Sequence, residues 1–305
     1  MAGILAFFAF ALGACVASFL NVVVWRVPRG ESIVSPPSHC PKCNAPIRWW
    51  QNIPIVSWLA LRGRCVNCHD PISPRYILVE LLGGVLFCAA FVKYCPLVVL
   101  SQPNGVFLDY AKAVVLLVVW VWISLMIVGS LIDFDHKLLP DFVTIGGMVL
   151  GVVTNLAVTI VNYILLPLVA NDTDQYAVVI GVEGLIRSLS YPILWSLSGL
   201  ASGFGLLWLI RFVGSKAFKR EAMGMGDVFL MGAVGALFGP VAVLFTLIMS
   251  SLVGSIVGVS MIAMSKTRFG RFVEIPYGPY ICMGCLVWMF WGPEIVGWYV
   301  KMLHG

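Results

Sequence analysis

The sequence predicts an all-α protein that crosses a membrane about eight times. Of its 305 residues, 60% are hydrophobic and only 11% are charged, whereas an ordinary soluble domain carries about 25% charged residues. Long stretches contain no charged residue, and most of them reach the roughly 20 residues that a helix needs to cross a bilayer. The charge deficit is too large for a soluble core, so the expected solvent is the bilayer.

The predicted spans follow the uncharged stretches in order. These stretches are 2–25, 113–132, 142–171, 188–210, 228–265 and 275–293. The stretch 228–265 is nearly twice as long as one span, and Gly239–Pro240 near its middle predicts a tight turn between two spans. Residues 76–95 form a further span, although Glu80 lies within it. A cleaved signal peptide is disfavoured for the first stretch, because no Lys or Arg precedes it and its apolar run is long.

Basic residues mark one side of the membrane. Fifteen of the 19 Lys and Arg residues fall in alternate loops, from Arg26 in the first to Lys266, Arg268 and Arg271 in the last. By the positive-inside rule these loops are cytoplasmic and both termini face outward. The net charge of +5 therefore reflects topology. Anionic lipid headgroups are the expected partners of the basic faces, and no nucleic-acid-binding pattern is present.

Four of the nine cysteines form a metal-binding pattern in the first cytoplasmic loop. The two pairs are Cys40 with Cys43 and Cys65 with Cys68. Two such pairs favour a tetrahedral structural zinc site, and a reducing cytoplasm favours metal over disulfides. Redox-active or merely buried thiols are the alternatives. His39 and His69 flank the site, but four thiolates need no further ligand. The pair Cys282 and Cys285 lies in an apolar helix, which indicates packing.

Two acidic clusters lie on the cytoplasmic side. The segment LIDFDHKLLPD (131–141) ends the third span and offers Asp133, Asp135, His136 and Asp141. Asp227 opens the sixth span. The third span runs inward and the sixth outward, so their cytoplasmic ends meet at one depth. Two carboxylates brought close share a proton, and one then acts as a base toward water while the other acts as an acid. This is the chemistry of aspartic proteases.

Glycines precede the second acid. Gly224 and Gly226 stand just before Asp227, and their lack of a side chain predicts a backbone that a substrate strand approaches closely. The alternative interpretation is that these acids are solvated loop charges or helix caps. Asp141, which follows Leu139–Pro140 and precedes an apolar run, is a natural N-cap, and Asp227 is another.

These residues resemble a known family. GMGD (224–227) is similar to the GxGD signature of membrane aspartic proteases. LIDFDHKLLPD, together with the two cysteine pairs, resembles the bacterial type IV prepilin peptidases. Further blocks are similar to that family: GACVASFLNVVVWRVP (13–28), NIPIVSWLALRGRC (52–65), RYILVELLGG (75–84) and IPYGPY (275–280). One departure is Phe229, where many members have lysine.

The resemblance implies the activity and its site. The family cleaves the basic leader from prepilins and pseudopilins at the cytoplasmic face of the inner membrane, and it N-methylates the new terminus with S-adenosylmethionine. Its catalytic aspartates correspond to Asp133 and Asp227, and its metal ligands to Cys40, Cys43, Cys65 and Cys68. Its methyltransferase function is tied to the region around the first loop, where Gly63, Arg64 and Glu80 are candidates. Glu80 either binds the substrate amine or pairs with Arg75.

The implied organisation has three parts. Residues 1–25 form the first span, 26–75 form the four-cysteine loop associated with methyl transfer, and 76–305 form seven further spans that carry the peptidase site. Three alternatives stay open: a peptidase without methyltransferase activity, a transporter, and a scaffold of a secretion system. The transporter predicts internal repeats, which are not evident, and it leaves the cysteine loop unexplained. Oligomeric state and the identity of the pilin substrate do not follow from the sequence.

Overall fold

The computed structural model describes residues 2–94, 97–99, 106–108, 110–160, 192–221, 223–264 and 276–304. These residues form nine α helices: α1 (Ala2–Arg26), α2 (Val56–Ala60), α3 (Arg75–Lys93), α4 (Tyr110–His136), α5 (Asp141–Ile160), α6 (Pro192–Phe218), α7 (Met225–Phe238), α8 (Pro240–Met264) and α9 (Gly278–His304). Short 3-10 helices cover Val27–Arg29 and Trp49–Asn52. The regular structure of the described residues is therefore mainly α-helical, as predicted.

Seven of the described helices are long and apolar enough to cross a membrane, which confirms an integral membrane protein. The sixth predicted span differs from the others. It is α7, which has 14 residues and a length of about 21 Å at 1.5 Å per residue, short of the roughly 30 Å of a hydrocarbon core. The predicted turn after it is present: Gly239 has φ of +83° and Pro240 begins α8.

Several helices continue beyond their uncharged stretches. α4 ends at His136, so Asp133 and Asp135 lie in its last turns rather than in a loop. α9 runs past Glu294 to His304. A helix accepts charged side chains once they leave the hydrocarbon, because water or protein then solvates them. The later part of 142–171, the start of 188–210 and the basic loop from Lys266 to Arg271 lie outside the described residues.

A two-stranded antiparallel hairpin was not predicted. Strands β1 (Leu97–Val99) and β2 (Val106–Leu108) pair with Val98 opposite Phe107. Both segments consist of β-branched, aromatic or leucine residues, which favour strands. The apolar run containing β1 follows directly on the second span, so hydropathy alone does not separate the strand from the helix.

The chain forms two compact units, Met1–Val128 and Gly129–Gly305. In the first unit α1 packs against α3 at small residues. A Cβ atom on Gly13 would lie 2.5 Å from the carbonyl oxygen of Gly83, and one on Gly83 would lie 2.5 Å from Ala17 Cβ. Small residues permit this close approach, as is usual between membrane helices. Phe87 on α3 also stacks on Trp120 of α4, with ring centroids 5.2 Å apart.

The second unit is built around α7. Residues 227, 228 and 230–236 of this helix are all buried, and α5, α6, α8 and α9 all contact it. α6 approaches α7 so closely at Gly199 and Gly235 that a side chain on either glycine would clash with the other's carbonyl oxygen. A helix that is apolar on every side is expected at the centre of a bundle. The short α7 therefore carries Asp227 into the interior of this unit.

Candidate active site and metal centre

Asp227 lies in the first turn of the central helix α7. Gly224 is the N-cap residue, so the predicted N-cap role of Asp227 is wrong: the residue is at the third helical position. Its carboxyl accepts a hydrogen bond from the backbone N–H of Gly224, as an acid at this position does in a capping box. Asp227 is only 8% exposed, and its buried Oδ1 atom has no hydrogen-bond partner among the described residues.

Asp133 occupies the last turns of α4 and is 6% exposed. Its Oδ2 atom accepts a hydrogen bond of 2.9 Å from the backbone N–H of Gly278, the first residue of α9. A Cβ atom on Gly278 would lie 2.6 Å from that same oxygen. Only glycine at this position therefore lets the helix N-terminus approach the carboxyl.

The structure brings Asp133 and Asp227 together within the second unit. The carboxyl of Asp227 lies within range of the charge of Asp133, and the thiol of Cys282 lies within range of both. Two helix N-termini, those of α7 and α9, donate backbone N–H groups to the pair, and a helix N-terminus favours negative charge. The site is thus suited to hold one negative charge between two carboxyls.

The other candidates in the first acidic cluster are not part of this pair. Asp135 and Asp141 are exposed, and His136 is partly buried. Asp141 is the first residue of α5, and the carbonyl of Pro140 accepts the hydrogen bonds of Val143 and Thr144. Asp141 therefore lies in the first helical turn rather than at the predicted N-cap. Asp133 is thus the buried acid of this segment, a difference from Asp135 and Asp141 that the sequence alone does not reveal.

Sequence reasoning missed three residues that shape the site. The backbone N–H of Gly278 donates a hydrogen bond to Asp133. Leu139 packs on Gly226, where a Cβ atom would lie 2.9 Å from Leu139 Cβ. The hydroxyl of Tyr277 hydrogen-bonds Ser250 of α8 at 2.7 Å and so holds the start of α9. The block IPYGPY contains Tyr277 and Gly278 and was the available signal.

The two glycines before Asp227 differ in their surroundings. Gly226 is needed for the approach of Leu139, so its small size serves a contact within the protein. Gly224 is exposed, and a Cβ atom there would meet only Asp227 Oδ2, at 3.6 Å, and the nitrogen of Gly226, at 4.0 Å. Phe229 lies on the next turn of α7, and its ring contacts Phe204 of α6 at a centroid distance of 5.7 Å.

The four cysteines of the first loop converge in the first unit. The Sγ atoms of Cys40, Cys43, Cys65 and Cys68 all lie within 4.8 Å of one another. The Sγ atoms of Cys40 and Cys68 are 3.8 Å apart, and those of Cys43 and Cys65 are 4.0 Å apart. A tetrahedron with zinc–sulfur bonds of about 2.3 Å has edges of about 3.8 Å. The donor set therefore fits a tetrahedral zinc ion, and neither histidine belongs to the cluster.

The two cysteine pairs have the same local structure. In each, the residue after the second cysteine has a positive φ and donates its N–H to the carbonyl of the first cysteine: Asn44 to Cys40 and His69 to Cys65. Lys42 of the first pair forms an ion pair of 2.9 Å with Asp70 beside the second. Each of the two turns therefore contributes two sulfur atoms, and together they can supply the four ligands of a closed metal site.

The pKa values of the cysteine thiols are shifted in opposite directions within the cluster. The pKa of Cys43 is lowered to about 6 by the backbone N–H of Ala45 and then by the Asn67 side chain. The backbone N–H of Asp70 lowers the pKa of Cys68, but burial and the other sulfurs outweigh it and raise the value to about 12. Four adjacent thiolates repel one another, and a divalent cation removes that repulsion.

The candidates for methyl transfer lie around this loop. Gly63 has φ of +63°, and a Cβ atom there would lie 2.7 Å from the ring of Trp58, so glycine is needed to pack the turn. Arg64 is exposed. Glu80 is 8% exposed on α3, and its Oε2 atom accepts a 2.7 Å hydrogen bond from the N–H of Ile55. Ile55 has φ of +64°, which is rare for a β-branched residue.

The regions that contain both centres match known protein families. Residues 11–94, which include the four cysteines, match the bacterial peptidase A24 N-terminal domain. Residues 120–259, which include Asp133 and Asp227, match the type IV leader peptidase family. The chain belongs to the type IV leader peptidase family. No solved structure matches it.

Named relatives extend over most of the chain. A prepilin leader peptidase/N-methyltransferase of Myxococcus xanthus is 37% identical over 88% of this chain and 66% of its own length. A protein of the same name from Stutzerimonas stutzeri is 31% identical over 96% of this chain and 93% of its own length. Another from Pseudomonas aeruginosa is 31% identical over 95% of this chain and 91% of its own length. The similarity therefore covers both the cysteine loop and the aspartates.

Proposed function

We propose that the protein is a membrane aspartic endopeptidase that removes the leader from prepilins or pseudopilins and then N-methylates the new terminus with S-adenosylmethionine. The observation that carries the proposal is the buried pair of Asp133 and Asp227, each held by the N–H of a helix N-terminus, within the region that matches the leader peptidases. Relatives named for both activities support the second half.

Asp133 and Asp227 carry the hydrolysis. One ionised carboxylate takes a proton from a water molecule, and the oxygen of that water forms a bond to the scissile carbonyl carbon. The protonated carboxyl donates its proton to the carbonyl oxygen. The carboxyl that took the proton from water then gives it to the nitrogen, while the other carboxylate takes a proton from a hydroxyl of the tetrahedral intermediate. The carbonyl re-forms, the C–N bond breaks, and the amine leaves. The unpartnered Oδ1 atom of Asp227 is the proposed contact for the water or the substrate.

The position of the pair is consistent with a prepilin substrate, which the names of the relatives imply. A prepilin has a short basic leader followed by an apolar helix, so its cleavage site lies where a membrane helix leaves the bilayer. Asp133 lies at the end of one membrane helix and Asp227 at the start of the short α7. The loop before Asp227 carries Arg211, Lys216, Lys219 and Arg220, and the loop after Asp133 carries Lys137, so the positive-inside rule favours the cytoplasmic side for both. This supports an active site that faces the cytoplasm, and the family resemblance supports the inner membrane.

Methyl transfer is assigned to the first unit, around the four-cysteine loop. The new N-terminal amine attacks the methyl carbon of S-adenosylmethionine, the carbon–sulfur bond breaks, the sulfur keeps the electron pair, and the amine releases a proton. Gly63, Arg64 and Glu80 are the candidate residues. Gly63 and Glu80 act by shaping the loop, through the turn at Trp58 and the bond to Ile55. Zinc on the four cysteines is structural, because a four-thiolate site leaves no open coordination position.

One experiment tests both activities. Purified protein in lipid nanodiscs is incubated with a prepilin, with and without S-adenosylmethionine, and the masses of the products are measured by mass spectrometry. We expect leader loss in both samples and the added mass of one methyl group only with the donor. Leader loss without methylation identifies a peptidase alone, and an intact prepilin in both samples favours a transporter or scaffold.

Gly278→Ala is expected to slow cleavage sharply. The new Cβ atom would lie 2.6 Å from Asp133 Oδ2, so the carboxyl or the start of α9 must move, and a displacement of about 1 Å in an active site costs about 100-fold in rate. Gly297→Ala is the matched control, because nothing lies within 4 Å of a Cβ atom there and it is in the same helix. Equal cleavage rates in the two variants contradict the role of Gly278.

A further inference from the structure

An uncharged segment rich in tryptophan lies in the middle of the four-cysteine loop. Residues 49–61 (WWQNIPIVSWLAL) have no charged side chain, and Arg48 and Arg62 flank them. An apolar stretch of about 10–14 residues is too short to cross a bilayer, and it is typical of a buried helix or of a segment at the membrane interface. The name tryptophan segment is used below for residues 49–61.

The tryptophan segment is exposed rather than buried. It consists of the 3-10 helix Trp49–Asn52, a turn, and α2. Trp49 is 78% exposed, and Val56 and Leu59 are each 59% exposed. A run of exposed aromatic and aliphatic side chains marks a surface that another molecule or a membrane covers. A buried helix is therefore excluded, and the membrane interface is the remaining interpretation of the sequence.

A hydrogen bond to α3 gives the depth of the segment. The backbone N–H of Ile55 donates to Oε2 of Glu80 at 2.7 Å. Glu80 lies about 8 Å along α3 from its first residue, Arg75, at 1.5 Å per residue. Because α3 is long and apolar enough to span the membrane, Ile55 lies beside the second turn of a membrane helix and not in the water beyond its end.

The contacts with α1 give the same depth. Asn52 and Pro54 line a cleft together with Ser18. Ser18 lies about 12 Å before Arg26, the last residue of α1, and it belongs to the uncharged stretch 2–25. The tryptophan segment therefore turns back beside a part of α1 that we expect lipid to surround.

Polar groups of the segment have partners within the protein. Ser57 Oγ donates to the carbonyl oxygen of Ile53 at 2.7 Å, and Trp58 Nε1 donates to that of Ile72 at 3.3 Å. The carboxyl of Glu80 does the same for the backbone N–H at position 55. A polar group without a partner is costly in lipid, where no water replaces the missing hydrogen bond. These internal bonds therefore suit the segment to a lipid environment.

We propose that the tryptophan segment lies in the bilayer leaflet beside the four-cysteine loop, with Val56 and Leu59 among the acyl chains and Trp49 near the headgroups. Tryptophan is enriched at membrane–water interfaces. The guanidinium of Arg48 lies 5.1 Å from the ring centroid of Trp50, and from such a position an arginine extends its charge to lipid phosphates. Lipid is favoured over a partner protein because lipid already surrounds membrane helices at this depth.

This placement holds the four-cysteine loop against the membrane. The tryptophan segment lies between the two cysteine pairs, after Cys43 and before Cys65, so it anchors the loop in its middle. α1 and α3 anchor the two ends. A loop attached at three points has less freedom to extend into the water, whatever reaction the protein performs.

The test identifies the molecule that contacts position 56. The full chain with Val56→p-benzoylphenylalanine is expressed in bacterial membranes and illuminated, and its adducts are analysed by mass spectrometry. Val66→p-benzoylphenylalanine is the matched control, because Val66 is 50% exposed and lies in the same loop, between Cys65 and Cys68 and outside the segment. We expect several-fold more phospholipid adduct at position 56 than at position 66.

A second position keeps the proposal testable if the Val56 variant does not fold or bind zinc. Leu59→p-benzoylphenylalanine is expected to give the same excess of phospholipid adduct over the Val66 control. An adduct with another protein or with a second copy of this chain, in place of lipid, overturns the proposal. So does the absence of any adduct, which indicates contact with water, and so do equal amounts of lipid adduct inside and outside the segment.

Discussion

Asp133→Asn and Asp227→Asn are each expected to reduce prepilin cleavage by at least about 100-fold and up to about 10,000-fold, the usual contribution of a general acid or base. Asparagine keeps the shape of the side chain but neither accepts the proton of water nor donates one as an acid. Because each carboxyl has a different task in the same step, neither suffices alone. Rates of leader release by purified protein are the measurement.

Two neighbouring acids provide controls for these variants. Asp135→Asn and Asp141→Asn remove the same charge in the same segment, but both residues are exposed and neither belongs to the buried pair. We expect them to cleave at close to the wild-type rate. Full activity of Asp133→Asn or Asp227→Asn would refute the assignment, and a shared loss in all four variants would indicate a surface-charge effect.

The double variant adds a sharper criterion. If the two carboxyls act in one step, Asp133→Asn with Asp227→Asn is expected to be no slower than the slower single variant, because residues that act as a unit are strongly non-additive. Effects that multiply would instead indicate two independent contributions. The variants must retain their zinc content and thermal unfolding, so that the comparison concerns chemistry rather than folding.

Much of this arrangement could be predicted from the sequence, because its signals are local. Long uncharged stretches identify membrane helices, and the Gly239–Pro240 pair marks the end of α7. The spacing of Cys40, Cys43, Cys65 and Cys68 predicts a cluster whose sulfurs the structure places within 4.8 Å of one another. In these cases the geometry of a few consecutive residues determines the outcome.

Contacts between distant residues could not be predicted in the same way. Gly278 and Asp133 are 145 residues apart, and nothing in either local sequence specifies their hydrogen bond. The role of Gly226 was interpreted as access for substrate, whereas its neighbour is Leu139. The short length of α7 was also missed, because hydropathy reports apolarity and does not distinguish a helix buried in protein from one that spans lipid.

Glu80 illustrates the limit of a single-residue argument. An acid within a predicted span is a functional candidate, and its pairing with Arg75 was the other interpretation. The structure adds a contact that neither interpretation includes: the Oε2 atom of Glu80 accepts a hydrogen bond from the backbone N–H of Ile55, which has a backbone conformation that isoleucine rarely adopts. The buried carboxylate of Glu80 on α3 thereby fixes the position of Ile55, the residue before α2. We therefore expect Glu80 to affect methyl transfer through the conformation of the loop.

Removal of zinc is expected to abolish methylation before it affects cleavage. One zinc ion per chain, bound by the four cysteines, would supply folding energy to a loop that has little core of its own, because structural zinc in short peptides binds with an apparent free energy of about 10–16 kcal/mol. Cys40→Ser removes one ligand, so the metal content measured by elemental analysis is expected to fall well below one. Segment 26–75 then becomes sensitive to proteases. Cys88→Ser is the control, because Cys88 lies on α3 and outside the cluster.

The order of the two losses follows from where the residues lie. The metal cluster belongs to the first unit, whereas Asp133 and Asp227 belong to the second. Cys40→Ser is therefore expected to lose methyl transfer while it still releases leader. The converse variant, Asp227→Asn, is given a pilin that has already been cleaved, together with labelled S-adenosylmethionine, and is expected to methylate it because the amine is present without proteolysis. If no label reaches the N-terminus while the protein is folded and zinc-loaded, the two activities depend on one another and the separate assignment fails.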